Sequence, residues 1–340
     1  DDTNVALNGG AGLSWIVSNE NFMNAQNKID LLKLKVSYGT TGNSRIGSYR
    51  SKGLYTINLI DYNGGNGAVP SAAPNGNLSW EKNTKFNAGI DFNFLNRVET
   101  SLEFYYDNIT DLITSRDIPT ETGYTSLQLN AASMYNKGVE FSTRVKWWQS
   151  KDFKWTTSFN ISTVKNKVTK LIGLGSDFST SEVALAQKVG FSTSTIWGIK
   201  YAGVDAATGR DLLEKNGQIY DAATYTSLFG PADWVPIGDN QPEAFGGFSN
   251  TFVIKDNLTL SIRGAFEIGG DILVDNSLIS KYNITSNRNL SVNAYDYWRN
   301  QGDVALQPLV ISNATLIPNL SKFLYDNTHI RISNINLSYN

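Results

Sequence analysis

The stretch Thr84 to Phe94, TKFNAGIDFNF, decides the fold. Phe86, Ala88, Ile90, Phe92 and Phe94 fall on one side of an extended chain, and Asn87, Gly89, Asp91 and Asn93 fall on the other. A period of two sustained over this length predicts a β-strand with one apolar and one wet face. Leu95-Asn96-Arg97 makes a tight turn, after which Val98, Thr100, Leu102, Phe104 and Tyr106 alternate with Glu99, Ser101, Glu103, Tyr105 and Asp107. The two runs form a hairpin of long strands.

Working outward, the pattern recurs. Val139 to Trp147 alternates with Glu140 to Lys146, and a short polar link (149–152) leads to Phe153, Trp155, Thr157, Phe159 and Ile161 on one face. Another hairpin turns at Lys255-Asp256-Asn257, and Leu32 to Tyr38 alternates in the same way. Nine main strands are expected, at 11–18, 31–40, 83–94, 97–110, 135–148, 153–165, 245–254, 257–268 and 328–340. Short extra strands are expected at 51–58 and 194–201.

Several strands reach ten residues or more, against a usual length of about 5–6 in globular sheets and about 9–11 for a membrane-spanning strand. The links at 95–97, 149–152 and 255–257 are short, whereas those at about 40–82, 112–134, 166–244 and 269–327 are long. Short turns on one side and long loops on the other mark outer-membrane barrels. The expected class is therefore all-β: about nine strands of a partial transmembrane antiparallel β-barrel.

Composition narrows the chemistry. The 340 residues include 29 basic and 31 acidic side chains, no Cys, a single His and 40 aromatics at a mean hydropathy of -0.27. Near-neutral charge removes an electrostatic case for nucleic-acid binding. Without Cys, disulfide scaffolds, thiolate zinc sites and thiol nucleophiles are excluded. No apolar run is long enough for a membrane helix. Asp1-Asp2-Thr3-Asn4 has neither the basic nor the apolar region of a signal peptide.

No constellation for catalysis, cofactor or metal emerges. Glu99 and Glu103 share a strand face, but four residues of extended chain separate their Cα atoms by about 13–14 Å, too far for a glycosidase pair. The segment Asp205 to Asp211 lacks the acidic spacing of an EF-hand and reads as a turn on Thr208-Gly209. Gly264, Gly269 and Gly270 lack phosphate-loop context and read as a bend at a strand exit, and Asn63 to Gly67 reads as a loop tip. Tyr105, Tyr106, Trp147, Trp148, Phe153 and Trp155 sit near strand ends, where interfacial girdles lie. In the long links, Tyr124, Tyr225, Phe229, Trp234 and Trp298 are candidate ligand or partner contacts, by stacking on sugars or lining an interface; packing among the loops is the competing reading. Arg45, Arg50, Arg116, Arg210 and Arg299 could meet an anionic ligand, and His329 reads as a polar interfacial residue.

Six motifs carry a family resemblance: LKLKVSYGTTGNSRIGSY (Leu32–Tyr49), NLSWEKNTKFNAGIDF (Asn77–Phe92), YYDNITDLI (Tyr105–Ile113), NKGVEFS (Asn136–Ser142), IGDNQPEAFGGFSNTF (Ile237–Phe252) and IRISNINLSYN (Ile330–Asn340). In this order they resemble the barrel of SusC/RagA-type TonB-dependent transporters of the Bacteroidota outer membrane. The resemblance implies that residues 1–340 are the C-terminal portion of a barrel of about 22 strands. The plug and the N-terminal half of the barrel have no counterpart here. It also implies a SusD-like surface lipoprotein as cap, TonB acting through the plug, and a bilayer with outer-leaflet lipopolysaccharide around the wall. The implied function is uptake of oligosaccharides or peptides. A structural or assembly subunit built on a SusC-like barrel is the alternative, and a soluble β-rich binding module a third reading. Nine strands with two open edges cannot sit alone in lipid, so further barrel strands are expected from elsewhere.

Overall fold

The computed structural model describes residues 8–43, 50–62, 65–124, 126–171, 188–274, 292–310, 317 and 319–339. Nine strands form one antiparallel wall: β1 (Gly9–Ile16), β2 (Ile29–Asn43), β3 (Glu81–Phe94), β4 (Val98–Asp117), β5 (Ser126–Gln149), β6 (Phe153–Thr163), β7 (Ala244–Ile254), β8 (Leu258–Ile268) and β9 (His329–Tyr339). Each pairs with the next along the chain, and the strand Lys165–Leu171 pairs with the outer half of β5.

The register explains why the sequence must alternate. One row across all nine strands reads Trp15, Leu34, Ile90, Leu102, Phe141, Ile161, Gly246, Phe266 and Ile330, each directly opposite the next. The adjacent row reads Ser14, Lys35, Gly89, Glu103, Glu140, Ser162, Phe245, Glu267 and His329. A slip of one residue would exchange the two faces, so the apolar pattern fixes the register. The apolar face is bare: Leu34, Ile90 and Leu102 are each about two-fifths exposed, although they lie in mid-wall. A soluble protein rarely leaves so continuous an apolar surface open, and hydrocarbon is the solvent that suits it.

Two of the short connections owe their tightness to left-handed residues. Leu95 and Asn96 have φ of 51° and 52°, and Lys255 and Asp256 have φ of 50° and 58°. Two consecutive positive φ values match the twist of the flanking strands.

The strands β4 and β5 are longer than their alternation predicts. The expected long link at 112–134 is instead mostly strand, and the residues between β4 and β5 run only from 118 to 125. Asp111 adopts φ of 57° and the register shifts between Ile109 and Leu112. This bulge swaps the face that each following residue occupies, so the period of two breaks although pairing continues.

The remaining strands lie in the long links. Leu54–Tyr62 pairs with Gly65–Ala72, and Thr195–Gly198 with Val235–Asp239. Lys200–Val204, Asp211–Lys215 and Gln218–Asp221 make a small sheet, and Asp271–Leu273 pairs with Leu324–Asp326. Trp197, Ile199, Leu213, Trp234, Ile317, Leu320 and Phe323 are buried together as an outer core. Ile199 donates its N–H to the Asn319 carbonyl and accepts from the Ser321 N–H, both at 3.0 Å. The link after β6 and the link after β8 are thereby sewn together.

Gly138 is fixed by close approach. A Cβ there would land on the Thr163 carbonyl oxygen and the Tyr105 hydroxyl. Gly138→Ala is expected to separate β5 from the end of β6 and to destabilise by about 1–3 kcal/mol. A lowered midpoint in urea unfolding of the lipid-reconstituted barrel checks this, and an unchanged midpoint would refute it.

Candidate functional site

The polar face of the wall is the first candidate surface. Lys35 on β2 reaches Asp91 on β3 at 3.2 Å and Glu103 on β4 at 3.0 Å. Ser101 donates to Asp91 at 2.8 Å. These pairs offset the repulsion between Glu103 and Glu140, which stand opposite each other in the register. Toward the short turns, Lys146 pairs with Glu99 at 3.4 Å. A concavity of about 700 Å³ opens on this face, lined by Asp91, Glu99, Arg144, Asn160, Ser249 and Arg263 among others. Arg144 and Arg263 form no ion pair among the described residues. The surface is wet and carries both signs of charge. It can guide a polar solute or seat a polar domain. No group of His, Asp and Glu that could hold a metal occurs among the described residues.

The aromatics expected at strand ends divide by face. Trp147, Trp148, Phe153 and Trp155 cluster beside the short 150–152 link. Trp147 lies 5.8 Å from Trp155, which stacks at 5.6 Å on Phe252. Tyr106 stacks at 5.6 Å on Tyr135, nearer the long links. Tyr135 and Trp147 are twelve residues apart on β5, about 40 Å along the strand and about 30 Å across a membrane at the usual tilt. That is the thickness of a hydrocarbon core. Tyr105 is the correction: its place between Glu103 and Asp107 puts it on the polar face, where its hydroxyl donates to the Thr163 carbonyl at 3.2 Å.

The aromatics of the links prove less exposed than their polar surroundings suggest. Trp234 is 5% exposed and belongs to the outer core. Tyr225 and Phe229 pack against that core and stack on each other at 5.8 Å. Trp298 donates to the Ala206 carbonyl at 3.0 Å, and its ring covers Gly209, whose φ of 70° and crowded Cα leave no room for a side chain. Tyr124 is half-exposed and hydrogen-bonded to Tyr55, which raises its pKa. Sequence polarity misleads here because the outer core is gathered from three distant segments, none with a regular period.

The arginines divide as well. Arg210 is paired with Asp221 at 3.0 Å, and Arg299 donates to the Tyr295 carbonyl with its guanidinium 4.5 Å from the Tyr297 ring. Arg50 lies in a short 3-10 turn, Arg116 near the outer end of β4, and Arg45 outside the described residues. Asn63 and Gly64 also lie outside the described residues. His329 stands exposed at the start of β9, its Nδ1 2.6 Å from the Asn327 carbonyl. Asp205 closes the expected turn, accepting from the Ala207 N–H at 3.0 Å and the Thr208 hydroxyl at 2.6 Å.

Asp233 anchors the outer core's edge. Burial alone would raise its pKa, but the Gly230 N–H and the Lys215 ammonium, 2.8 and 3.0 Å away, hold it below the ordinary 3.8. A depressed carboxylate pKa contributes stability that is present above 3.8 and is lost as pH falls through the lower folded value. The protection factor of the Gly230 amide is therefore expected to hold from pH 7 to 4 and to drop only below that range. A drop beginning near pH 5 would contradict this.

Residues 1–296 match the family described as TonB dependent receptor-like, beta-barrel. The chain belongs to that family. A TonB-dependent receptor of Formosa agariphila is 29% identical over 362 residues, covering all of this chain and 36% of the relative. The TonB-dependent receptor SusC of Bacteroides thetaiotaomicron is 28% identical over 96% of this chain and 33% of its own length. Among solved structures, the RagAB peptide transporter superposes with a TM-score of 0.82 at 25% identity, covering 97% of this chain and 36% of that one. The chain thus spans about a third of the length of these relatives. As a SusC-like TonB-dependent receptor barrel it resides in the outer membrane of a bacterium of the Bacteroidota, and its wall is a transmembrane one.

Proposed function

We propose that this chain is the C-terminal part of the barrel wall of a SusC-like importer, which takes up oligosaccharides or peptides together with a SusD-like surface lipoprotein. The observation that carries the reading is the nine-strand wall itself, with one continuous apolar face, one charged face and, among the described residues, an unpaired edge at each end. Such a wall needs further strands to close, and a TonB-dependent barrel of about 22 strands supplies them. In this reading the short turns are periplasmic and the long links extracellular. The apolar face meets lipid. The polar face lines the lumen against a plug on which TonB acts. The long links present Tyr124, Trp298 and the rims of Tyr225 and Phe229 on the sewn outer core to substrate or cap, and Trp147, Trp148, Phe153 and Trp155 form the inner girdle. The wall does no covalent chemistry.

Peptide import is the activity of the RagAB neighbour, and the mixed-charge lumen suits either peptides or sugars. The test is deletion of the gene encoding the full-length parent, followed by growth on single polysaccharides and on peptides. Loss of growth on one class, restored by the intact gene but not by one lacking its TonB-contacting segment, is the expected result. Unchanged growth with disassembly of an outer-membrane complex would favour the scaffold reading instead.

A further inference from the structure

Level with the Tyr106–Tyr135 stack, three lysines occupy one face of the wall. Lys137 on β5 stands opposite Lys165 in the register, and Lys167 stands opposite Tyr135. Lys137 is also the register partner of Tyr106, so it shares the height and the lipid-facing side of the aromatic level. Like charges directly opposite in a sheet repel, and their Cα atoms are only about 5 Å apart. Among the described residues none of the three lysines forms an ion pair. Lys137 carries its ammonium outward to 5.6 Å from the Tyr135 ring, as a snorkelling lysine does at a membrane interface.

These lysines line a groove of about 980 Å³. It opens because β6 ends at Thr163 and the next strand stays with β5 instead of following β7. Phe104 and Val139, both about two-fifths exposed, form its floor on the apolar side. Asp239 and Glu243 stand on the far wall. Asp239 accepts from the Gln241 N–H at 2.9 Å, and the stem of Glu243 lies along Gly269. Neither carboxylate neutralises the lysines.

We propose that this groove docks the phosphorylated glycolipid of the outer leaflet, with its phosphate between Lys137, Lys165 and Lys167 and its acyl chains on Phe104 and Val139. Phosphate charge relieves the repulsion that the lysines otherwise suffer, and the apolar floor lies at the depth where acyl chains begin. The assignment to the outer leaflet rests on the orientation proposed above.

The test uses the full-length receptor in its native assembly, purified in detergent and titrated with lipid A while bound lipid is read by native mass spectrometry. The triple variant Lys137→Gln, Lys165→Gln, Lys167→Gln is expected to bind lipid A about 100-fold more weakly, and Lys165→Gln alone about fivefold more weakly. Replacement of all three by Arg is expected to retain binding. Dephosphorylated lipid A and phosphatidylglycerol are expected to bind wild-type protein no better than lipid A binds the triple Gln variant. The proposal is overturned if the Gln variants hold lipid A within twofold of wild type, or if either control lipid binds wild type as tightly as lipid A. Heat-modifiable migration reports folding, and the single variant keeps the test decisive should the triple one misfold. Nutrient uptake measured in parallel separates the readings: loss of uptake specificity with lipid A binding intact would sink the import reading alone.

Discussion

Lys322→Ala is expected to open the outer core to protease by about a hundredfold or more. The Lys322 ammonium sits 3.2 Å from Asp211, with side-chain exposures of 8% and 17%, and 4.7 Å from the Tyr201 ring. The Tyr201 hydroxyl donates to the same Asp211 oxygen at 2.9 Å. Burial holds the Lys322 pKa below its ordinary value, against the opposing pull of Asp211. Removing one partner of a buried pair strands the other charge, which costs about 3–5 kcal/mol. Cleavage of a transiently opened segment follows the open population when reclosing is fast, so the rate should rise accordingly. The combined change Lys322→Met, Asp211→Leu, Tyr201→Phe removes both charges of the pair together with the hydroxyl bonded to it, and is expected to return cleavage most of the way to the wild-type rate. Limited proteolysis of the folded full-length protein measures both, and a wild-type rate for Lys322→Ala would refute the role given to the pair.

The second large effect lies in the membrane. Leu102 is in mid-strand, opposite Ile90 and Phe141 on the bare apolar face. Leu102→Arg places a charge near the bilayer midplane, at a cost of about 2–4 kcal/mol. Ser101→Arg, one residue away on the polar face, is expected to cost well under half of that, because its guanidinium meets water and Asp91. Urea titration of the reconstituted barrel compares the two. Equal losses would mean that the faces are not lipid and lumen.

The wall was legible in the sequence because membrane strands carry their environment in the parity of each residue. Thr84 to Phe94 and Val98 to Tyr106 could be read face by face, and all nine strands pair in the order of the chain. Parity also held the answer for Tyr105, which alternates with the charged residues and lies among them. The reading failed where parity changes without a break in pairing, at the Asp111 bulge. It also failed where burial is set by contacts distant in sequence. Trp234, Leu213 and Leu320 lie far apart in the chain and share no common period. The lysine groove escaped for a third reason: Lys137 and Lys165 are unremarkable singly, and only the register sets them side by side.

The seam between Ile199 and Asn319–Ser321 has a mechanical consequence. It ties the connection leaving β6 to the one entering β9, with β7 and β8 between them. Prising β6 away from β7, or β8 away from β9, would first have to tear this lashing. A sideways exit for cargo, or a crack admitting lipid, would therefore be steered away from this arc of the rim.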